Sequence, residues 1–482
     1  MKNFLTKTLI LSLLIIFGYS YNIHASTYDE SYVIEIPEKV EIDDSKSFTI
    51  KIIENNLSDN QTLDISIDKN FTLMDKHGKN DVTGTILNNS TSICKDDTED
   101  IIIQYDVPTL TAGSWSGEVN INLKLNTSAI SHMLIPGNEL SAILRNIQNE
   151  FGSTIFKKIT FATNVYEGNY SDIDGKPYID VSLAKDESAL LYRSSSTVFT
   201  ITSNGGDKLY TNYDASYMFD NVTFPTTITG LDILDTSYTN TMNNMFDYCL
   251  KLTSLDISSF DTSKVTDMSH MFEGNAKLKT ITGLNELDTT NVKDMSYMFA
   301  DCYVLANGLE DVTDFDTANV VDMTSMFKGV NSSNKTYATI DLDLSKWNMG
   351  KVTSVASMFY ETYEFRNITF PSRINTKNLT TMSNMFYNNN YLDSINMNVF
   401  DTSNVTDMSN MFYMCKVLKH TGNINNWDVS NVIDTSRMFY GTWNIVIEET
   451  GDLNSWNVAK LQNKEEMFSN SSKYIGHEPG WY

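Results

Sequence analysis

The sequence predicts a multidomain fold, in which an all-β sandwich is followed by an α/β solenoid of about ten repeated units. Three observations lead to this prediction. The chain starts with a short apolar stretch, its first third contains short segments of alternating apolar residues, and the dipeptide Met-Phe recurs at near-constant spacing through its second half. The resulting divisions are residues 1–25, 26–130, 131–212 and 213–482.

The first 25 residues have the pattern of a secretory signal peptide. Lys2 and Lys7 supply positive charge, Leu9 to Phe17 is apolar apart from one serine, and small residues follow, so we expect cleavage after Ser20 or Ala25. The alternative is a membrane anchor, but this stretch is shorter than the roughly 20 residues that a spanning helix needs. The sequence therefore predicts a secreted or bacterial cell-surface protein without a transmembrane span.

Composition narrows the partners that the chain can have. Its 61 acidic and 35 basic residues give a formal net charge of −26. Such a surface repels phosphate backbones, which excludes nucleic acid as the expected partner and favours basic patches on other proteins. The four cysteines are too few to build a disulfide scaffold of this size, and we predict no disulfide.

Residues 26–130 are predicted to form an antiparallel β-sandwich of the immunoglobulin-like type. Turn-rich stretches separate five strand-like segments, and the Cys-Trp-Cys pattern of true immunoglobulin domains is absent, so the prediction rests on alternation alone. The segments are 32–36, 48–52, 63–67, 101–105 and 119–125. For residues 131–212 we predict a connector or N-terminal cap with a helix whose apolar face comprises Leu140, Ile143, Leu144, Ile147 and Phe151.

Internal repetition is the strongest signal in the sequence. The spacing between successive Met-Phe pairs is 26 to 29 residues, with one interval of 32. The pairs begin at Met218, Met245, Met271, Met298, Met326, Met358, Met385, Met411, Met438 and Met467. A single unit of 26–28 residues has too few large apolar side chains to offset the backbone entropy lost on folding, so the units must stack on one another.

Each unit divides into two predicted parts. Val265, Met268, Met271 and Phe272 have the spacing of one helical face, and Asp261 or Ser263 before them suits a helix cap. A short strand then follows the Met-Phe pair. A helical turn plus a strand in 26–28 residues is typical of a leucine-rich-repeat solenoid, so we expect these apolar residues to be buried.

The segment from Phe400 to Phe412, with the sequence Phe-Asp-Thr-Ser-Asn-Val-Thr-Asp-Met-Ser-Asn-Met-Phe, resembles the BspA-like bacterial surface-protein repeat, also called the DUF285 repeat. The resemblance covers the chain from about Asp214 to its end. It implies a secreted or surface-located protein that adheres to host matrix or to other cells, and it implies no catalytic residues. Many members of this family carry a C-terminal wall anchor, and we see no such signal here.

No enzymatic chemistry is visible in the sequence. The six histidines lack metal-ligand spacing, and neither a glycine-rich phosphate loop nor a nucleophile motif is present. We therefore predict a protein without catalytic residues, a bound metal or a cofactor.

For two sets of residues we predict a structural role, and a metal or redox role is the alternative. Cys249, Cys302 and Cys415 each follow the Met of a Met-Phe pair by four residues, a position that predicts a small buried slot rather than a redox or metal site. Paired aspartates six residues apart suit capping, with a calcium-binding ladder as the alternative. These pairs are Asp261/Asp267, Asp288/Asp294, Asp316/Asp322, Asp401/Asp407 and Asp428/Asp434.

The strand positions vary between units whose other residues repeat, which predicts that the strand face of the solenoid binds extracellular macromolecules such as host matrix proteins or other cells. The alternative is a structural surface or biofilm-matrix protein without a dedicated ligand. The candidate binding residues are Ser254, Asp256, Thr280, Thr282, Asp341, Asp343, Ser394 and Asn396.

Overall fold

The structure is a computed structural model with two compact units, residues 1–130 and 131–482. Among the residues that it describes, no helix is long and apolar enough to span a membrane. The described residues are 8–15, 32–35, 47–55, 61–67, 69–75, 81–87, 90–93, 101–106, 115–127 and 132–482, apart from gaps at 306–307, 334–339, 364, 447–449 and 475. Cys94 lies outside them.

The first unit contains one antiparallel sheet with the strand order β2-β3-β8-β6-β5-β9-β4-β7, and β1 pairs with β9. Its strands are β1 Thr8–Ile15, β2 Tyr32–Glu35, β3 Ser47–Asn55, β4 Gln61–Ile67, β5 Asn70–Asp75, β6 Asp81–Ile86, β7 Ser90–Ile93, β8 Ile101–Asp106 and β9 Trp115–Thr127. All five segments predicted from alternation fall on strands. The immunoglobulin-like type and the cleavage of the signal peptide, on which β1 lies, stay predictions.

The second unit opens with α1, Gly137–Ile155, which confirms the predicted helix. Leu140, Leu144 and Ile147 are buried on its apolar face, with Ile143 and Phe151 partly buried beside them. A five-stranded sheet follows, in the order β11-β12-β13-β10-β15. Its strands are β10 Lys158–Ala162, β11 Ile179–Asp180, β12 Leu190–Arg193, β13 Val198–Thr202 and β15 Thr227–Thr229.

From this sheet onward the repeats stack on one another with their strands parallel, and each repeat is called one coil. Because β15 belongs to the first repeat and pairs in parallel with β10, the lead-in residues and the solenoid share one sheet. The remaining strands are β14 Leu209–Tyr210, β16 Leu234–Asp235, β17 Ser254–Asp256, β18 Thr280–Thr282, β19 Ile340–Asp343, β20 Phe365–Thr369 and β21 Ser394–Ile395. Short 3-10 helices lie at Leu231–Ile233, Leu284–Glu286, Leu309–Asp314, Met397–Val399, Ile424–Asn426 and Leu453–Ser455.

The Met-Phe segments are not helical, so the predicted helical turn is wrong. His270 and Gly274, on either side of Met271-Phe272, have φ angles of 58° and 69°, which a right-handed helix excludes. Positive φ recurs in every repeat at these two positions, the residue before Met-Phe and the second residue after it. The spacing of apolar residues that predicted a helix therefore comes from a series of turns. Such a series also brings the apolar side chains to the same side of the backbone.

Backbone hydrogen bonds between coils replace those of a helix. The N–H groups of Met268, His270 and Phe272 donate to carbonyls of the next coil, at N···O distances of 3.0, 2.8 and 2.9 Å. A buried threonine adds a further bond, because Thr262 Oγ1 donates to the carbonyl of Asp288 at 2.9 Å. Equivalent threonines in other coils make the same bond. Each coil therefore depends on its neighbour for the partners of its backbone hydrogen bonds.

Phenylalanines of the Met-Phe pairs form a continuous spine in the core. Rings of successive coils stack in parallel with centroids 5.1 to 5.9 Å apart. Val265, Met268, Met271 and Phe272 are fully buried, which confirms their predicted place in the core.

Both ends of the spine are covered by other elements. At the first coil, Gln148 of α1 donates to the carbonyl of Asn221 at 3.0 Å and accepts from the N–H of Thr223 at 2.9 Å. At the last coil, Tyr474 packs on Phe468 with ring centroids 4.6 Å apart, and Trp481 stacks on Trp456. Such end caps keep the open faces of a solenoid out of solvent.

Candidate binding surfaces

All but one of the predicted strand-face residues lie on the outer side of the short parallel strands. The exception is Asn396, which follows β21 and whose side chain accepts from the N–H of Phe370 and donates to its carbonyl. Ser254 and Asp256 of β17 pair in register with Thr280 and Thr282 of β18, while Leu255 between them is buried. Alternation of side chains across a strand therefore aims the predicted residues outward. Of the eight, five are exposed, and Thr280, Ser394 and Asn396 are half-buried.

Two of the exposed aspartates also hold turns. Asp256 Oδ1 accepts from the N–H of Ser258 at 3.1 Å, and Asp343 Oδ1 accepts from the N–H of Ser345 at 2.9 Å. Hydrogen bonds from Ser345, first from its side chain and then from its backbone, lower the pKa of Asp343. Substitution of either aspartate would disturb the backbone as well as the surface.

Asp341 lies in a ladder of alternating charge. Its carboxylate accepts from Arg366 at 2.7 Å and from Asn367 at 2.6 Å, and the hydrogen bond from Arg366 lowers its pKa. One coil further on, Lys419 pairs with Asp393 at 2.7 Å. Asp341 is exposed on the strand face, and its charge is matched within the chain.

The paired aspartates cap turns. Asp261 Oδ1 accepts from the N–H of Ser263 at 3.0 Å, and Asp267 Oδ1 accepts from the N–H of Ser269 at 2.9 Å. In one of the coils without the acidic pair, Asn348 and Ser354 make the same side-chain bonds. Since uncharged residues serve equally, capping accounts for the pairs, although the capped element is a turn and not a helix. No cluster of histidine, cysteine and acidic residues in the described part of the chain has a metal-binding arrangement.

Buried free thiols occupy the slot predicted for the cysteines. Cys249, Cys302 and Cys415 donate through Sγ to the carbonyl of the Met-Phe phenylalanine in the previous coil, with S···O distances of 3.3, 3.0 and 2.9 Å. Thr362 and Asn389 make the same bond in their coils. Any small donor fits this position, and burial raises the thiol pKa values.

A tyrosine ladder is the surface that the sequence reasoning missed. Tyr360, Tyr387, Tyr413 and Tyr440, which we call the tyrosine ladder, directly follow Met-Phe in four successive coils. Their half-buried rings stack in parallel with centroids 4.5, 4.5 and 4.8 Å apart. Desolvation raises the pKa of Tyr387 to about 12. The repeated tripeptide Met-Phe-Tyr was a visible signal for this feature.

The first three coils place carboxylates at the same position. Asp220, Asp247 and Glu273 follow Met-Phe there, with Arg145 of α1 paired to Asp220 at 3.0 Å and His270 in contact with Glu273. Asp247 is 7% exposed, and its Oδ1 atom makes no hydrogen bond. Desolvation first, then the charges of Glu273 and Asp220, raise its pKa to about 7.

Stacked coils, capped turns and outward strand positions define a repeat solenoid. The family described as "Mycoplasma protein of unknown function, DUF285" matches residues 213–340, 282–390, 331–448 and 367–481. These matches span more than half of the chain, and the chain belongs to this family. Neither the curated proteins nor the solved structures contain a match.

Proposed function

We propose that this protein is exported and acts at the bacterial surface as an adhesion or binding protein, with the strand face of its solenoid recognising host matrix proteins or other cell-surface macromolecules. The observation that carries the proposal is the contrast between repeated and variable positions. Core, capping and inter-coil residues recur from unit to unit, whereas strand residues in register, such as Asp256 and Thr282, differ. The proposal involves no catalytic step.

Several properties of the strand face support a protein ligand. Exposed strand positions recur along the coil axis, and length allows weak contacts to add over a large partner. The net charge of −26 would speed association with basic surfaces and would lose this effect as salt rises. The main alternative, a structural matrix protein without a dedicated ligand, predicts no saturable binding.

The structure sharpens the choice of test residues. Asp256, Asp341 and Asp343 have structural partners, so the informative positions are Ser254 and Thr282, both exposed on adjacent paired strands. We expect the full-length chain to bind immobilised matrix proteins or cells saturably, and the double variant Ser254→Lys/Thr282→Lys to reduce the affinity at least severalfold.

The matched control is Val321→Lys/Ile433→Lys, which adds the same charge at residues that are 39% and 40% exposed away from the strands. Saturable binding that both variants leave unchanged would refute the assignment of the strand face. The absence of saturable binding to a panel of matrix proteins, glycans and cells would favour the matrix-protein alternative.

A further inference from the structure

The tyrosine ladder and the residues beside it form a surface whose chemistry differs from the rest of this acidic protein. The two flanking positions of each coil hold, on one side, Ser357, Asn384, Asn410 and Arg437, and on the other, Glu361, Asn388, Met414 and Gly441. With the four tyrosines these residues are called the ladder strip. Its single acidic and single basic residue cancel, so the strip is neutral within a chain of net charge −26.

We propose that the ladder strip is a self-association surface, which binds the ladder strip of a second copy of this chain in antiparallel orientation about a two-fold axis. Such an interface uses one patch twice, because each copy offers the surface that the other needs.

The spacing of the ladder favours a second copy as the partner. Stacking covers the ring faces inside the ladder, so the strip presents ring edges and hydroxyl groups at intervals of 4.5 to 4.8 Å. A partner engages all of them in register only if it repeats at the same interval, which is the spacing of stacked β-strands. The ladder strip of a second copy has this repeat. A glycan packing on aromatic residues would instead need ring faces.

The two charges of the strip select the orientation. Glu361 lies on the first coil of the strip and Arg437 on the last, on opposite sides of the tyrosines, so an antiparallel pair places one glutamate and one arginine at each end of the interface. A parallel pair would place like charges together. Within its own chain Arg437 pairs with Glu466 at 2.6 Å, but both side chains are well exposed, at 47% and 42%. An exposed ion pair of this kind is weak, so Arg437 still contributes positive charge at its end of the interface.

The first test is sedimentation velocity of the full chain over a range of concentrations, without any added ligand. We expect a reversible dimer, and we expect Tyr387→Ser/Tyr413→Ser to raise its dissociation constant at least tenfold. The matched control is Tyr248→Ser/Tyr297→Ser, which removes one exposed and one half-buried tyrosine from the second and fourth coils and should leave the dimer unchanged. A chain that stays monomeric up to 100-fold above the lowest concentration, or equal loss in both variants, overturns the proposal.

A charge-exchange series tests the orientation without disturbing the stacked rings. Glu361→Arg and Arg437→Glu should each weaken the dimer, and the double variant should restore it because each end of the interface again holds opposite charges. Failure of the double variant to recover refutes the antiparallel arrangement. Thermal melting of each variant identifies loss of folding, in which case the charge series alone decides. Because no ligand is present, the result is independent of the strand-face proposal.

Discussion

The first three coils and coils six to nine place opposite chemistry at one position of the same backbone. After Met-Phe the early coils have Asp220, Asp247 and Glu273, whereas the later ones have the tyrosine ladder. In the early coils the side chain loses solvation next to like charges, and in the later coils it gains a stacked neighbour. The repeats therefore share one backbone conformation, whereas the residue after Met-Phe varies between coils. We expect local stability and its pH dependence to differ along the solenoid for this reason.

The largest effect should come from the part that both regions share. Phe272→Ala in the early coils and Phe386→Ala in the later ones each remove a fully buried ring from the spine. We expect each to lower the free energy of unfolding by about 3–5 kcal/mol, as for other buried phenylalanines. Chemical denaturation of the two variants measures this. A much smaller loss in one region would show that the spine is not equally packed along its length.

Replacing Asp247 should change the stability of the protein in a pH-dependent way, and a matching replacement in the tyrosine-ladder region should not. Its pKa of about 7 in the folded protein lies above the ordinary aspartate value of 3.8, so the stability associated with its proton is fully present below about pH 4 and is lost as the pH rises through about 7. Asp247→Asn removes the buried charge and should therefore stabilise the protein at neutral pH by on the order of 1–3 kcal/mol, because a carboxyl with a raised pKa destabilises the fold as it ionises.

Melting curves at pH 5 and pH 8 test this prediction. The variant should gain more at pH 8 than at pH 5, whereas Asp407→Asn, a capping residue in the ladder region, should show no comparable gain. Equal shifts at both pH values would mean that Asp247 is ionised in the folded protein throughout this range.

The smallest effect should again be common to both regions. Asp267→Ala and Asp407→Ala each remove the acceptor of a turn-capping bond to a serine N–H, both 2.9 Å long. By analogy with side-chain caps in helices we expect losses of about 1 kcal/mol. The asparagine variants keep the acceptor and should lose less than half as much, as measured by denaturant midpoints. Equal losses for alanine and asparagine would mean that the charge and not the cap matters.

Repetition made the stacking, the buried residues and the outward strand positions predictable from the sequence. The Met-Phe period identifies what must be buried, and alternation in β17 identifies what faces outward. The helical turn was not predictable in this way, because apolar residues at intervals of three and four fit a helix and a series of turns alike. The decisive feature was the backbone conformation at the positions of His270 and Gly274. Glycine, asparagine, aspartate or histidine occupies many of these positions, but others hold residues such as Tyr297 and Arg437, which carry no preference for positive φ.

The contacts of exposed side chains were harder to predict than the core, because their partners lie in other coils. Asp341 is exposed, and only the structure shows that Arg366 of the next coil lies beside it. The tyrosine ladder depends in the same way on residues 26 to 27 positions apart, although the repeated Met-Phe-Tyr would have revealed it if the units had been compared position by position.

The bonds between coils also affect how the length of the protein can change. Donors and acceptors are equivalent in most coils, so the coils before and after any deleted unit would meet with matching partners. Loss or duplication of one whole repeat therefore preserves the register of every later coil, whereas loss of a few residues inside a repeat does not. A gene of this design can vary in length by recombination between its own repeats, which would alter the reach of the molecule while each coil folds as before.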